Sequence, residues 1–379
     1  MNMIFPALVV AAAPTTAAVG SATFGLVCFI VFIALVFDFL NGFHDAANSI
    51  ATVVSTRVLT PTQAVIWAAF FNFAAAFIFG TKVADTISGK LIDVALLGTM
   101  QTQVHVIFAG LLAAIAWNII TWLLALPTSS SHALISGFGG AAIACAGFHV
   151  IKPLGWALVL AGIVLSPLLG FILGAANMIA ISWIFRRSTP HRVDTLFRRL
   201  QLVSAAVYSL GHGGNDAQKT MGIIVALLGS AGLGAYAAPE ISSWTNHLNI
   251  FGAEHHVAWW IILVCNGAMA LGTIFGGWRI VKTMGSRITR LTPVGGFSAE
   301  TAAATTIIGF TAIGGVPIST THAITGAILG VGTTRGVRSV RWIWGERIVL
   351  AWILTIPCAA FMGGAAYVAV HLIFQAFSG

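Results

Sequence analysis

The chain has 379 residues, of which 58% are hydrophobic and 7% charged, with a formal net charge of +8 at pH 7. Soluble domains carry about 25% charged residues, so this composition excludes a water-exposed globule of this size and makes lipid the natural solvent. The surplus Lys and Arg lie in short loops between apolar runs, which marks cytoplasmic loops of a membrane protein and argues against a nucleic-acid surface.

No Asp, Glu, Lys or Arg falls between Arg57 and Lys82, between Asp93 and Lys152, or between Lys152 and Arg186. About 20 apolar residues cross a bilayer, so each gap holds one or more spans. The hydrophobic segments run over 21–57, 61–80, 104–126, 131–149 and 153–184, then 200–234, 257–279, 298–316, 320–334 and 344–376. The first 20 residues lack Lys and Arg, which argues against a cleaved signal peptide. A multi-pass protein of a bacterial inner (plasma) membrane is expected. Cys28, Cys145, Cys265 and Cys358 lie in apolar segments without metal-ligand spacing and read as small buried hydrophobes.

Charge sets the predicted orientation. Arg186, Arg187, Arg192, Arg198 and Arg199 put the middle of the chain in the cytoplasm, as Arg279 to Arg290 and Arg335 to Arg347 do for two later loops. The loop 235–256, with Glu240 and Glu254 as its charges, and both uncharged termini are expected outside. Each half then crosses an odd number of times, so the halves run in opposite directions. The predicted fold class is an all-α integral membrane bundle of two inverted-topology repeats. Residues 1–185 form the first repeat, 186–199 a basic cytoplasmic linker, and 200–379 the second repeat.

Two polar signatures recur in the same order in both halves. Asn41-Gly42-Phe43-His44-Asp45-Ala46-Ala47-Asn48 aligns with His212-Gly213-Gly214-Asn215-Asp216-Ala217-Gln218-Lys219, so Asp45 matches Asp216 and Asn48 matches Lys219. Pro127-Thr128-Ser129-Ser130-Ser131-His132 aligns with Pro317-Ile318-Ser319-Thr320-Thr321-His322. The segments flanking each hydroxyl triplet are predicted to form two re-entrant helical hairpins, whose tips enter from opposite faces and meet near the midplane.

A proline stops one helix and the hydroxyl residues after it cap the next. The positive end of that new helix, with free N–H groups, suits an anion. Ser129, Ser130, Ser131, Ser319, Thr320 and Thr321 add neutral donors, which bind an anion without trapping it. A carboxylate within a span costs roughly 2.5–3.5 kcal/mol, so Asp45 and Asp216 need a partner or a purpose. Gly42, Gly213 and Gly214 predict broken helices beside them. His44 next to Asp45 is a candidate proton carrier, because histidine titrates near neutral pH. Asp38, near the start of the same break, reads as structural. His132 and His322 read as packing residues, and His105, His149, His247, His255 and His256 as solvated.

These motifs resemble those of the inorganic phosphate transporter (PiT) family, bacterial low-affinity phosphate permeases in particular, over essentially the whole chain. The resemblance implies a phosphate site between the two hydroxyl tips, with Asp45, Asn48, Asn215 and Asp216 binding substrate or coupling ion; Lys219 joins the substrate site as a balance to phosphate charge. It implies a homodimer, and Asp45, Asp216 or His44 is the expected carrier of the coupling ion. His44 and Lys219 stand where the sodium-coupled pattern has Asn. That departure is similar to proton-coupled members, and the ammonium of Lys219 would compete with sodium for Asp216. Proton-coupled import of phosphate, with a neutral metal–phosphate as one form of the substrate, is therefore expected by alternating access. A sodium-coupled symporter and a sulfate permease of the same fold are the alternatives. No enzyme signature, resident metal or cofactor is expected.

Overall fold

The computed structural model describes residues 21–238 and 255–378. The predicted outside loop with Glu240, His247 and Glu254 therefore lies largely outside the described residues, as does the N-terminal stretch. Among the described residues the structure is helical, and the β pairing is a single bridge between Ile92 and Ile151.

The first half contains α1 (Ser21–Ser55), α2 (Pro61–Ala74), α3 (Lys82–Gly89), α4 (Met100–Leu123), α5 (Ser130–Ala146) and α6 (Pro153–Ile184). The second contains α7 (Pro190–Ser230), α8 (Trp259–Phe275), α9 (Trp278–Lys282), α10 (Pro293–Ile308), α11 (Thr320–Thr333) and α12 (Trp342–Ser378). Helices α2, α6, α7 and α10 each start on a proline, whose fixed φ and missing N–H suit the first helical position. Thr60 and Gln63 add a reciprocal capping box to α2. Helices α1, α4, α6 and α12 are long and apolar enough to cross a membrane by themselves. Two further candidates are bent pairs: α2 with α3, turned by 80°, and α8 with α9 and its following turn, by 61°.

The order of parts therefore repeats: a long helix bearing Asp45 or Asp216, a bent pair, a two-helix hairpin, and a long helix with an internal proline, Pro167 or Pro357. The halves interlock in space. Helix α5 packs along α12 and α11 along α6, while α1 lies on α8 and α7 on α2. Small residues permit these contacts, as membrane helices require. A Cβ on Gly140 would sit 1.9 Å from the Ala360 carbonyl, and one on Gly326 2.2 Å from that of Pro167.

The predicted breaks at Gly42 and at Gly213-Gly214 do not form, because α1 and α7 run straight through them. These glycines bring backbones together instead: a Cβ on Gly42 would lie 2.1 Å from Met269 O, and one on Gly213 2.4 Å from Asn72 O. The interruptions fall at residues 78–81 and at Gly276-Gly277, where Gly276 adopts φ +61. The basic stretch 186–199 is a tight turn followed by the first turns of α7. Of the four cysteines only Cys265 is buried, and Cys28 is exposed. His105 is buried in α4 against Phe374 rather than solvated.

Candidate functional site

The four motif segments come together at the centre of the bundle. All twelve predicted site residues are at most 4% exposed, Ser131 being the most open. Helices α1 and α7 supply the carboxylates, and the starts of α5 and α11 supply the hydroxyls.

The two hydroxyl triplets divide their work in the same way. The first residue of each is a helix cap: Ser129 accepts from His132 N and Ser319 from His322 N, both at 3.2 Å. The second serves the carboxylate of its own half. Ser130 Oγ lies 2.9 Å from Asp45 Oδ2, sharing its donor with Asn41 Oδ1, and Thr320 Oγ1 donates to Asp216 Oδ2 at 3.0 Å. The third crosses to the other half. Asn48 donates to Thr321 Oγ1 at 2.8 Å, while Lys219 Nζ donates to Ser131 Oγ. Positions 48 and 219, matched in the sequence repeat, thus hold equivalent places. The hydroxyls of Ser129 and Ser319 accept in their caps and keep a donor proton, while those of Ser130, Ser131, Thr320 and Thr321 meet side chains of α1 and α7.

The carboxylates differ in company. Lys219 Nζ pairs with Asp216 Oδ1 and also donates to the Ile318 carbonyl at 2.9 Å, tying the second tip to the ion pair. Asn215 Nδ2 donates to Asp216 Oδ1 at 2.7 Å and to Ile318 O at 3.0 Å. His212 Nε2 lies 3.2 Å from Asp216 Oδ2. Asp45 has no cation of its own besides His44, whose Nδ1 is 2.9 Å away and whose Nε2 is 3.2 Å from Thr121 Oγ1. Several donors around a buried carboxylate offset much of the cost of taking it out of water.

A family model described as "Phosphate transporter family" matches residues 41–363. The chain belongs to this family. It is 51% identical to a Rhizobium meliloti (strain 1021) protein named "Probable low-affinity inorganic phosphate transporter", over 92% of this chain and 98% of the relative. A Bacillus subtilis (strain 168) protein of the same name is 42% identical over the same shares. Among solved structures, one titled "The sodium-dependent phosphate transporter" matches with a TM-score of 0.76 and 23% identity, over 92% of this chain and 100% of that one. At that identity the likeness is one of fold. This member of the phosphate transporter family is a multi-pass membrane protein and not an enzyme.

Two features of this family member, His212 and Glu300, were not singled out in the sequence. His212 joins Asp45 and Asp216, and their donor atoms all lie within 4.8 Å of one another, a grouping suited to a small cation. Its place one helical turn before Asp216 was a usable signal. Glu300 on α10 is fully buried, held by Gln201 Nε2 at 3.0 Å and Ser204 Oγ at 2.5 Å, and Thr56 donates to Gln201 Oε1 at 2.9 Å. A lone Glu in an Ala- and Thr-rich segment was its signal. His132 and His322 pack behind the tips with ring centroids 4.9 Å apart, and His322 stacks on Trp352 at 3.8 Å.

Proposed function

We propose that this chain is a secondary active symporter that imports inorganic phosphate across the cell inner membrane, driven by protons and working by alternating access. The convergence of Ser130, Ser131, Thr320 and Thr321 on the Asp45, Asp216 and Lys219 centre supports it. Two helix starts, four hydroxyls and one ammonium match the needs of a tetrahedral oxyanion.

The hydrogen bonding suggests how protons are coupled. A hydroxyl has one proton to donate, and those of Ser130 and Thr320 are directed at Asp45 and Asp216. Protonating a carboxylate removes its charge and its demand for that donor. The freed hydroxyl then turns to phosphate, so proton and phosphate bind together. His44, hydrogen-bonded to Asp45, is the side chain best placed to deliver the proton. A neutral metal–phosphate complex would enter the same centre with less charge to offset.

The loop charges imply that the hairpin of α4 and α5 enters from outside and that of α10 and α11 from the cytoplasm. The halves are then inverted repeats, and rocking one against the other opens the centre to each side in turn. A homodimer in the bilayer is part of the same proposal. Sodium coupling is the second reading, favoured by the Asp45, His212 and Asp216 grouping.

The test is phosphate uptake into proteoliposomes under an inward proton gradient without sodium, with Asp45→Asn and Asp216→Asn alongside. Accumulation that needs the gradient and is lost in both variants is expected. A strict sodium requirement with no response to pH would establish the second reading. Excess sulfate competing as well as unlabelled phosphate would reassign the substrate.

A further inference from the structure

Four carboxyl groups are buried among the described residues: Asp38, Asp45, Asp216 and Glu300. Three have hydrogen-bond partners within the protein. Asp38 is the exception. It is 0% exposed, and neither of its oxygens has a hydrogen-bond partner.

Asp38 lies two helical turns before Asp45 on α1, so the two share a face. Asn41 and Thr220 turn hydrogen-bonding side chains toward it, but neither reaches full hydrogen-bond geometry. The titratable groups that reach it are Asp216 and Lys219 on α7 and Cys265 on α8. The Thr220 hydroxyl faces Asp38 and closes no hydrogen bond elsewhere. Asn41 leads on to the centre, because Ser130 shares its donor between Asn41 and Asp45.

An ionised carboxylate stripped of water, donors and counterion costs several kcal/mol, whereas a neutral acid costs far less. Asn41, Thr220 and the Lys219 charge offset part of that cost while the Asp216 charge adds to it, so a packing role does not explain the residue. Two neutral neighbours are also too few oxygens to replace the shell of a hard metal cation, which takes six or more. A proton is the occupant that such a site accommodates. The charge balance of the centre gives the proton a use. By formal count the centre holds two carboxyl groups against one lysine, and an entering oxyanion adds negative charge.

We infer that Asp38 is a second proton-binding carboxyl of the transport cycle, loaded with the anion and linked to the Asp45 and Asp216 centre through Asn41 and Thr220. The proton comes from water on the side of the α1 N-terminus and leaves to water on the opposite side, and no bond of phosphate changes. This rests on the proton-coupled reading above.

The experiment measures equilibrium phosphate accumulation in proteoliposomes at a fixed pH difference with the membrane potential clamped to zero. Equilibrium accumulation reports protons moved per phosphate and does not depend on rate. Removing one coupled proton lowers accumulation about tenfold per unit of pH difference, the factor that 1.4 kcal/mol represents. Asp38→Asn is expected to show that loss, and Asp38→Glu to restore accumulation. Wild-type accumulation in Asp38→Asn would overturn the assignment while leaving proton coupling intact. Wild-type protein indifferent to the proton gradient would remove both. If Asp38→Asn does not run as a single species on size exclusion, Thr220→Val decides. Loss of the facing hydroxyl favours the neutral acid, so uptake should persist to higher pH, and an unmoved alkaline limb would overturn the assignment.

Discussion

The surroundings of Asp45 and Asp216 make the most informative comparison in this molecule. Both sit at matching points of a repeat, and each receives one hydroxyl from the hairpin of its own half. Asp216 also pairs with Lys219 and accepts from the Asn215 amide. Asp45 has a histidine and the shared donor of Ser130. The fold is repeated but the electrostatics are not. Each carboxylate has a histidine beside it, but Asp216 also has a lysine that joins the two tips, and Asp45 has none. Such asymmetry lets one half hold the site together while the other responds to the coupling ion.

The largest expected effect breaks the fixed side. Lys219→Met leaves Asp216 as an uncompensated buried charge, which costs about 3–5 kcal/mol of stability. A thermal melt in detergent should show it, and Asp216→Asn added to Lys219→Met should recover most of the loss. A double variant as unstable as Lys219→Met alone would contradict the pairing. Converting the fixed side to its counterpart is the next step. Lys219→Asn gives α7 the residue type that α1 has at Asn48 and frees Asp216 for a mobile cation. Sodium should then stimulate uptake at constant pH by about tenfold, the factor that 1.4 kcal/mol represents, and no sodium response would mean that Lys219 is not what excludes it.

Smaller effects test the tips. A hydrogen bond to a charged group contributes about 1.5–3 kcal/mol, so Ser130→Ala and Thr320→Val should each raise the KM for phosphate roughly tenfold or more. Ser130→Ala should be the worse of the two, because Asp45 has fewer other donors, and equal losses would remove the asymmetry. Ser129→Ala and Ser319→Ala should each cost about 1 kcal/mol of stability, as lost helix caps do, with little change in KM. A KM change as large as that of Ser130→Ala would show that these two hydroxyls leave their caps to bind phosphate.

Much of this protein was legible in its sequence, because lipid leaves few options. An apolar chain must span as helices, and the segment read as 153–184 coincides with α6 (Pro153–Ile184). The repeated motifs named residues that the fold does bring together, since a duplicated unit keeps its polar pattern when its polar groups share one centre. Hydropathy failed where polarity and burial part company. Helix α7 begins at Pro190, ahead of the segment read as 200–234, because its first turns are charged and exposed. Glycine misled in the same way, since a glycine that breaks a helix and one that lets a neighbour approach look alike in a sequence, and at Gly42 the neighbour Met269 decides.

The sequence by itself determined the all-helical apolar character, the recurring polar motifs and the residue types at the centre, because these follow from local polarity and order along the chain. Only the tertiary structure decided which hydroxyl serves which carboxylate, that Lys219 bridges both tips, and that Asp38 stands alone. Those are relations between helices far apart in the chain, set by how closely glycine faces let backbones approach, and local pattern carries no record of them.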